Sequence, residues 1–464
     1  MRYDLVLAKA NVVTSHDTFC ADIGVKDGKI QAIAAPKSLR AKEVLDVTGL
    51  QVLPGIIDSH VHLRYPGRPD REDVETGTQA ACAGGITTIF EMPISEPSVS
   101  TGEILTKRAE LMAQDAYVDF ALYGGAGSDN MSDIAGLMQA GAIGYKTFLH
   151  AAPAGRESEF RGICCTDEGL LLEVLKSVAK TGLVGAIHVE SNSICERLTH
   201  TLREAGRTIP IAHAESRPEI AEIASAASVI VMAEETGARI QLCHMSTDRG
   251  VKMAHDAKKR GVPITVETCP HYLAADVSDL ERLGAFARIN PPLRSRQTVE
   301  ALWTCMNSGM IDMIGSDHAP YTYEEKAAAK DDIFVAPCGS PGLETMLPVM
   351  LNEVSSGRTD LNTLVRLMSE NPARVFGLYP TKGSITVGAA ADFTIVDMGA
   401  RKSVRRDKMR TKAKDAALLF EDRSLTGWPV ITVVAGQVVM REGQITAAPG
   451  VGRFVSPAPV GSWR

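Results

Sequence analysis

A repeated pattern between residues 56 and 317 constrains the fold of this chain more than any other feature. A short apolar or β-branched run is followed by a helical stretch rich in Ala, Glu and Lys, and eight such runs begin at residues 56, 87, 119, 144, 184, 239, 263 and 311. The runs are nearly continuous in apolar character, as expected of parallel strands covered on both faces. A doubly wound open sheet also fits this α/β alternation, but the count of eight favours a (β/α)8 TIM barrel.

The two ends of the chain differ from this repeat. Short Val-rich strand candidates separated by turn signals occupy residues 3–14, 22–34 and 43–53, and similar runs begin at 391 and 429. We expect the two ends to pair in one small β-sandwich domain. The predicted segments are 1–54 for the N-terminal part of that domain, 55–380 for the barrel, 381–445 for the C-terminal part of the small domain, and 446–464 for an extended tail rich in Pro and Gly.

Composition and charge exclude several classes of protein. The 464 residues are too many for one ordinary core, and 45% hydrophobic with 23% charged residues is typical of a globular protein. With a net charge of -7 the chain offers no positive surface for nucleic acid or an anionic membrane, so we expect a small-molecule partner. Asp4 and Lys9 interrupt what would be the apolar core of a signal peptide, and no apolar run reaches about 18 residues, which predicts a cytoplasmic protein.

Polar residues stand at the ends of several predicted barrel strands, where the active site of such a barrel lies. A single histidine at a strand end is usually a hydrogen-bonded core residue. Six polar residues at once are hard to explain as core. They are His60 and His62 on the first run, Lys146 on the fourth, His188 on the fifth, His244 on the sixth and Asp317 on the eighth.

The spacing of the first two histidines indicates metal binding. Side chains two residues apart on a strand point to the same face, so His60 and His62 can bind one ion together. Imidazole nitrogen and carboxylate oxygen suit Zn2+, and Co, Mn, Ni and Fe compete for the same ligands. Two ions bridged by a hydroxide would supply a nucleophile at neutral pH, which predicts hydrolytic chemistry.

Lys146 is the exceptional member of this set. An ammonium about 4 Å from a divalent ion would be repelled by several kcal/mol, even at an effective dielectric constant near 20. If the amine has captured CO2 as a carbamate, it becomes a bidentate anion that can bridge two metal ions. The alternative is a lysine that pairs with a nearby carboxylate, and the spacing leaves the two possibilities open.

A series of motifs in order along nearly the whole chain carries a family resemblance. They include "LPGIIDSHVHLRYPG", "GYKTF", "HVES", "LCHMS", "VETCPHYL", "NPPLR" and "IGSDHAP". These motifs resemble those of the amidohydrolase superfamily, and within it the cyclic amidohydrolases: hydantoinases, allantoinases, dihydropyrimidinases and dihydroorotases. The pair "DFALYGG" and "EMPIS" is most similar to L-hydantoinase and allantoinase.

The resemblance implies a role for each of the polar strand-end residues. His60 and His62 would bind one metal ion, His188 and His244 the other, and a carboxylated Lys146 would bridge the two. Asp317 would bind the first ion and act as the catalytic proton shuttle while a hydroxide opens a cyclic amide ring. The resemblance also implies two divalent ions, Zn2+ foremost with Mn2+ or Co2+ as alternatives, and a homodimer or homotetramer.

The choice of ring rests on departures from the dihydroorotase pattern. Dihydroorotases typically hold the substrate carboxylate with an Arg, an Asn and a His, and this chain has Arg64, Ile94 and Tyr321 at those positions. A buried carboxylate with one partner of three loses charge-assisted hydrogen bonds. Asn290 in "NPPLR" still resembles dihydroorotase. We therefore expect a five-membered ureide ring, of the hydantoin or allantoin type, bound by Arg64, Ile94, Asn290 and Tyr321.

Two other functions compete with this prediction. A dihydroorotase of pyrimidine biosynthesis is the first alternative. The second is a non-catalytic scaffold, because some relatives keep the barrel after losing metal ligands. All six ligand positions are filled here, which favours an enzyme. The segment "YTYEEKAAAK" at 321 is either part of a lid or a solvated helix face, and its Glu and Lys spacing favours the solvated face.

Overall fold

We describe a computed structural model of the chain that covers residues 2–458. Met1 and residues 459–464 lie outside the described residues, so the end of the predicted tail is not described. Within residues 2–458, no helix is both long enough and apolar enough to cross a membrane.

The chain ends build one sheet of nine strands. Its order is β17-β16-β15-β14-β5-β1-β2-β3, and β4 pairs with β1. The strands are β1 (Tyr3–Val13), β2 (Thr18–Lys26), β3 (Lys29–Ala34), β4 (Ala41–Asp46), β5 (Gln51–Pro54), β14 (Phe393–Ser403), β15 (Ser424–Val434), β16 (Gln437–Arg441) and β17 (Gln444–Ile445).

A second sheet of eight strands forms the barrel wall in strict chain order. The strands are β6 (Ile56–Val61), β7 (Ile86–Glu91), β8 (Asp119–Gly125), β9 (Gly144–Phe148), β10 (Val184–His188), β11 (Ile240–Leu242), β12 (Ile264–Thr268) and β13 (Met313–Ile314). Each of the eight predicted runs overlaps one of these strands, and every neighbouring pair is parallel. The predicted barrel is therefore confirmed.

The barrel is nearly closed between its last and first strands. The backbone N–H of His62 donates to the carbonyl of His318 at 2.8 Å, and Val61 forms a parallel bridge with His318. This contact brings the residues that follow β13 next to those that follow β6. Two distant parts of the sequence thus meet at the carboxyl end of the barrel.

Helices cover the outside of the barrel wall. Several begin with a polar N-cap, since the side chains of Asp73, Thr101, Asp167 and Thr247 accept backbone N–H groups in the first turns of α1, α2, α4 and α8. The helices are α1 (Val74–Ala83), α2 (Gly102–Asp115), α3 (Ile134–Gln139), α4 (Glu168–Thr181), α5 (Asn192–Glu204), α6 (Ile211–Ser216), α7 (Glu219–Thr236), α8 (Asp248–Lys259), α9 (Pro270–Ala274), α10 (Val277–Leu283), α11 (Arg296–Asn307), α12 (Tyr323–Ala327), α13 (Met346–Ser355), α14 (Leu361–Val365) and α15 (Asn371–Val375).

The small domain has an apolar core of its own, to which both chain ends contribute. Leu7 and Ile23 from the first part and Phe393, Ile395 and Val433 from the second belong to one buried cluster. The predicted pairing of the two ends is therefore confirmed. The boundaries at 54/55, 380/381 and 445/446 remain a prediction.

The described part of the predicted tail packs against the barrel. Arg453 donates its backbone N–H to Asp119 Oδ1 at 2.8 Å, and the rings of Phe454 and Phe120 lie 5.9 Å apart. Asp119 and Phe120 begin β8. The tail therefore covers the amino-terminal end of that strand, opposite the end that carries the polar residues.

Candidate metal centre and active site

Three of the predicted metal ligands converge where the first and last barrel strands meet. Asp317 Oδ1 lies 3.3 Å from His60 Nε2 and 3.4 Å from His62 Nε2. The three donor atoms lie within 4.8 Å of one another. His60 and His62 are buried, and Asp317 is nearly so. Two imidazole nitrogens and one carboxylate oxygen form a donor set that suits a divalent ion.

Two further predicted ligands meet on the neighbouring strands. His188 Nδ1, at the end of β10, lies 3.0 Å from His244 Nε2, just after β11. The rings of His60 and His244 are 5.2 Å apart between centroids, so the pair lies next to the first group. The structure thus brings five of the six predicted metal-binding residues into two adjacent donor groups.

Backbone conformation supports a functional role for this region. Arg64, His244 and Asp317 have φ angles of 63°, 37° and 47°. Left-handed φ values are uncommon outside glycine, and they cluster at functional sites where the surrounding structure holds them in place. Each of these residues lies two or three positions beyond the end of a barrel strand, so the chain turns sharply as it leaves the wall.

Buried carboxylates orient two of the histidines. Glu267 Oε1 lies 2.7 Å from His60 Nδ1, and Glu190 Oε2 lies 2.8 Å from His188 Nε2. Arg217 in turn donates to Glu190 at 2.6 Å. A carboxylate on one ring nitrogen fixes the tautomer and leaves the other nitrogen free to bind metal. Sequence reasoning missed Glu190 and Glu267, although both stand at the ends of predicted strands, in "HVES" and "VETC".

Lys146 lies in a fully buried position on β9. Its Nζ donates to Cys243 Sγ at 3.2 Å and lies 4.7 Å from the centroid of the Phe148 ring. Among the described residues, no carboxylate oxygen lies within 4.0 Å of this Nζ, so the ion pair considered from the sequence is not formed. The unmodified ammonium has no anionic partner in this position.

Burial and neighbouring charges determine the protonation state of each imidazole. Burial and nearby positive charges hold the pKa values of His62, His188 and His244 well below the usual range, so these rings are neutral. Burial and Lys146 act to lower the pKa of His60 as well, but its two carboxylate neighbours oppose them and raise that pKa to about 10. A neutral imidazole is the form that binds a metal ion, so an ion bound at His60 would displace the proton of that ring.

The residues present fit two divalent ions. Among the described residues, Nδ1 of His62 and Nδ1 of His244 are buried without a hydrogen-bond partner. The Nε2 atoms of the same two rings face other candidate ligand atoms, 3.4 Å from Asp317 Oδ1 and 3.0 Å from His188 Nδ1, so neither ring is committed to a hydrogen bond that a metal ion would have to break. His60, His62 and Asp317 would hold one ion, and His188 and His244 the other. Cys243 forms a further donor group with His60 and Glu267, but both partners already contact each other.

A cavity of about 1020 Å3 opens above these donor groups. Its wall includes His60, His62, His188, His244 and Asp317. The four predicted substrate-binding residues also line it: Arg64, Ile94, Asn290 and Tyr321. Candidate catalytic and substrate-binding groups therefore face one space.

The substrate-side residues differ in chemistry. Ile94 belongs to a buried apolar cluster with Phe148, Phe160 and Ile163. Arg64 is buried and donates its Nη2 to the Tyr321 hydroxyl at 3.2 Å. Among the described residues, the Asn290 side-chain oxygen is buried without a partner. The cavity lining therefore combines an apolar cluster at Ile94 with polar groups from Arg64, Asn290 and Tyr321.

Comparisons with known proteins establish the family. The sequence profile described as the Amidohydrolase family matches residues 51–439. The L-hydantoinase of Paenarthrobacter aurescens is 35% identical over 457 residues, 98% of each chain, and the allantoinase of Deinococcus radiodurans is 36% identical over 459 residues, 98% of this chain and 99% of that protein. A solved structure of L-hydantoinase (dihydropyrimidinase) from Arthrobacter aurescens gives a TM-score of 0.94 at 34% identity, covering 98% of this chain and 100% of the other.

The chain belongs to the amidohydrolase family, as the sequence motifs predicted. Within that family it is a cyclic amidohydrolase, an enzyme that acts on carbon–nitrogen bonds in cyclic amides. The prediction of an enzyme is thereby confirmed over that of a scaffold. The relatives with similar identity differ in substrate, so the particular ring has to be argued from the cavity.

Proposed function

We propose that this enzyme opens a five-membered ureide ring of the hydantoin or allantoin type by metal-dependent hydrolysis. The observation that carries the proposal is the convergence of two histidine donor groups and Asp317 beneath one cavity. His60, His62 and Asp317 would hold one divalent ion, His188 and His244 would hold the second, and Lys146, as a carbamate, would add an anionic ligand beside them. Zn2+ is the expected metal, and Mn2+ and Co2+ suit the same ligands.

Metal ions at these positions would lower the pKa of a water molecule and polarise the scissile carbonyl. The chain's own residues do the rest. Asp317 accepts the proton that the attacking water loses and delivers it to the ring nitrogen as the C–N bond breaks. Its contacts with two histidines keep the carboxylate oriented toward the reacting atoms. The ring opens to a carboxylate and a free ureide nitrogen. Of the two protons of the attacking water, one completes the N–H of that nitrogen and the other leaves to solvent as the new carboxylic acid ionises, so atoms and charges balance.

The chemistry of the cavity wall favours a substrate ring without a charged substituent. Ile94 presents an alkyl side chain within an apolar cluster, and such a wall gives no hydrogen bond to a carboxylate on the ring. Tyr321 provides a phenol where dihydroorotases place an imidazole. A flat ureide ring packs against the apolar wall without leaving a buried charge unpaired.

Dihydroorotase remains the second candidate because of one observation. Arg64 is buried, and its Nε and Nη1 have no hydrogen-bond partner in residues 2–458. An unpaired guanidinium in the cavity wall suits a carboxylate, which dihydroorotate carries. The two candidates therefore differ in what Arg64 binds.

Ring opening by zinc-loaded protein tests the proposal. We expect turnover of hydantoin, 5-substituted hydantoins or allantoin, and little turnover of dihydroorotate and dihydrouracil at the same pH. Removal of metal by a chelator should abolish activity, and Zn2+, Mn2+ or Co2+ should restore it. Dominant dihydroorotate activity would overturn the ureide proposal, whereas negligible bound metal by elemental analysis, with no activity on metal addition, would overturn the metal centre.

A further inference from the structure

The two histidines of the second donor group are held through different residues. Glu190 Oε2 lies 2.8 Å from His188 Nε2, and Arg217 Nη1 donates to the same oxygen at 2.6 Å. His244 lies in the segment that leads from β11 to α8, and its φ of 37° persists only if the surrounding structure fixes that segment. The contacts that fix Arg217 and this segment therefore decide how the two rings face each other.

Arg294 links these two parts of the structure. Its Nη1 donates to the backbone carbonyl of Arg217 at 2.6 Å, and its Nε donates to Ser246 Oγ at 2.9 Å. Ser246 lies two residues after His244. One guanidinium group thus bonds both to the residue that holds Glu190 and to the segment that carries His244. Arg294 is buried, so water competes little for these hydrogen bonds.

Glu222 on α7 completes this hydrogen-bond network. Its carboxylate accepts the Ser246 hydroxyl at 2.5 Å and the backbone N–H groups of Ser246 and Thr247 at 3.1 and 3.0 Å. The Ser246 hydroxyl therefore uses its only proton on Glu222 while it accepts from Arg294. Glu222 is fully buried, and its Oε2 lies 3.8 Å from Arg294 Nη2. Because these two opposite charges lie side by side, the network can stay buried.

The first donor group depends on another residue. His60 Nδ1 lies 2.7 Å from Glu267 Oε1, and Glu267 also accepts the backbone N–H of His244 at 3.3 Å. Glu267 therefore contacts both donor groups. Within the described residues, the side-chain hydrogen bonds of Arg294 lead instead to the second group alone. Loss of Arg294 should therefore disturb one metal position and spare the other.

We propose that Arg294 is a positioning residue for the second metal ion, because it holds His188 and His244 in their observed arrangement through Arg217 and Ser246. The inference rests on the proposed metal centre and adds that its two positions have separate supports. Residues that orient metal ligands govern metal affinity as well as geometry. The role is selective, which distinguishes it from a general contribution to the stability of the fold.

Metal binding at each position tests this assignment. Metal-free wild type and Arg294→Met are titrated with Zn2+ against a competing chelator, with bicarbonate in every sample. Anomalous scattering from crystals soaked at graded Zn2+ concentrations shows which position fills. We expect Arg294→Met to bind the ion at His188 and His244 about tenfold to a hundredfold more weakly, and the ion at His60 and His62 nearly as wild type does. Equal weakening at both positions, or wild-type affinity at both, would overturn the proposal.

Two milder variants keep the test decisive if Arg294→Met does not fold. Arg294→Lys keeps a charged donor but not the planar fork, so it should bind the second ion better than Arg294→Met and worse than wild type. Ser246→Ala removes the hydroxyl between Arg294 and Glu222 and should also weaken the second ion selectively. Wild-type affinities for both ions in these two variants would refute the positioning role.

Arg239→Met is the matched control. Arg239 stands just before β11, at the end of the strand opposite His244, and donates to the carbonyls of Gly182 and Val375 at 3.0 and 2.8 Å. Like Arg294, it bonds to backbone carbonyls near this strand, but its loss should leave both zinc affinities unchanged. Selective weakening of the second ion in Arg239→Met as well would show a general effect of a disturbed strand and would overturn the role of Arg294.

A metal-free measurement separates failure of the positioning role from failure of the metal centre. If wild type binds no Zn2+ at His188 and His244, the proposed second metal position fails. Crystal structures of the metal-free proteins then judge the positioning role from the distance between His188 Nδ1 and His244 Nε2, which is 3.0 Å here. A wider separation in Arg294→Met, but not in Arg239→Met, supports the role of Arg294, and an unchanged separation overturns it.

Discussion

Lys146 Nζ is buried among imidazoles, and its positive charge contributes to the low pKa values of His188 and His244. The same charge would oppose two divalent ions at these histidines, since an effective dielectric constant near 20 still gives repulsion of several kcal/mol at about 4 Å. A carbamate on Lys146 is an anion, so it would attract the two divalent ions instead of repelling them. It would also supply the anionic partner that the ammonium lacks among the described residues.

Replacement of Lys146 by alanine tests this chemistry. We expect Lys146→Ala to lose at least about a hundredfold in kcat, because metal ions without a bridging anion no longer supply the nucleophile efficiently. Acetate or propionate should restore part of the activity, since a short carboxylic acid fits the space left by the side chain and carbamate. The measurement is ring-opening rate against carboxylate concentration.

An exposed lysine provides the control for this experiment. Lys252→Ala removes a surface lysine that pairs with Asp248 on α8, and it should keep wild-type activity with no response to acetate. Full activity of Lys146→Ala without added acid would remove the carbamate from the proposal. Partial activity that responds equally to acetate in both variants would show a general salt effect instead.

Sequence reasoning found the residues that stand at strand ends but missed their partners. His60, His188 and Asp317 are visible because polar residues interrupt apolar runs. Glu267 also interrupts an apolar run, but its orienting role is not visible, since that role depends on a contact with His60, 207 positions away. Such contacts follow from barrel closure and loop packing, which a local pattern does not encode.

Among the elements, α12 departs most from its sequence pattern. The spacing in "YTYEEKAAAK" favoured a solvated helix face, but Lys326 is buried. Its Nζ donates to the carbonyls of Ala285, Arg288 and Pro337 at 3.0, 3.2 and 2.9 Å. The solvated-face prediction is therefore wrong for this residue, because the carbonyls that bind it come from segments far apart in sequence.

The burial of Lys326 predicts a pH-dependent contribution to stability. Burial lowers its pKa from 10.5 to about 7. Between pH 7 and 10.5 the unfolded chain therefore binds a proton that the folded chain does not, so this group's contribution to stability rises with pH in that window. The difference in unfolding free energy between wild type and Lys326→Met should grow by on the order of 1 to 3 kcal/mol from pH 7.5 to 10.

Urea unfolding of both proteins across this pH range gives the difference in unfolding free energy directly. The other titrating groups are the same in both proteins, so their contributions cancel in this difference. Lys330→Met is the control, because Lys330 is exposed at the end of the same segment, and its difference from wild type should not change with pH. A constant or decreasing difference for Lys326→Met would contradict the low pKa. The variant should also be less stable at every pH, since the buried carbonyls around Nζ lose their donor.

At the scale of the whole molecule, the eight barrel runs and the pairing of the chain ends could be predicted, because both follow from alternation of apolar segments. The way in which the small sheet is attached to the barrel could not be predicted from the sequence. Lys382 joins the two through Asp119 at the start of β8 and Asp392 just before β14, each at 2.6 Å. Nothing in the local sequence pairs a lysine with carboxylates 263 and 10 residues away.

Loss of this buried lysine should weaken the attachment strongly. Lys382 is 5% exposed, and its two carboxylate neighbours raise its pKa, while burial raises the pKa of Asp119. Lys382→Met would leave two buried carboxylates side by side, which costs about 3 to 5 kcal/mol of unfolding free energy. Urea unfolding at neutral pH measures this loss.

Two further variants distinguish the cost of leaving buried charges unpaired from the cost of losing an ion pair. Lys42→Met removes a surface pair with Asp4 at 2.8 Å and should change the unfolding free energy little, because solvent screens an exposed ion pair. Adding Asp119→Asn to Lys382→Met should recover part of the lost stability, because it removes one of the two unpaired carboxylates. If Lys382→Met costs as little as Lys42→Met, the small sheet is held to the barrel by its apolar contacts, and the buried ion cluster adds little. A large loss that Asp119→Asn partly reverses would show that the cluster ties the two sheets together through charge.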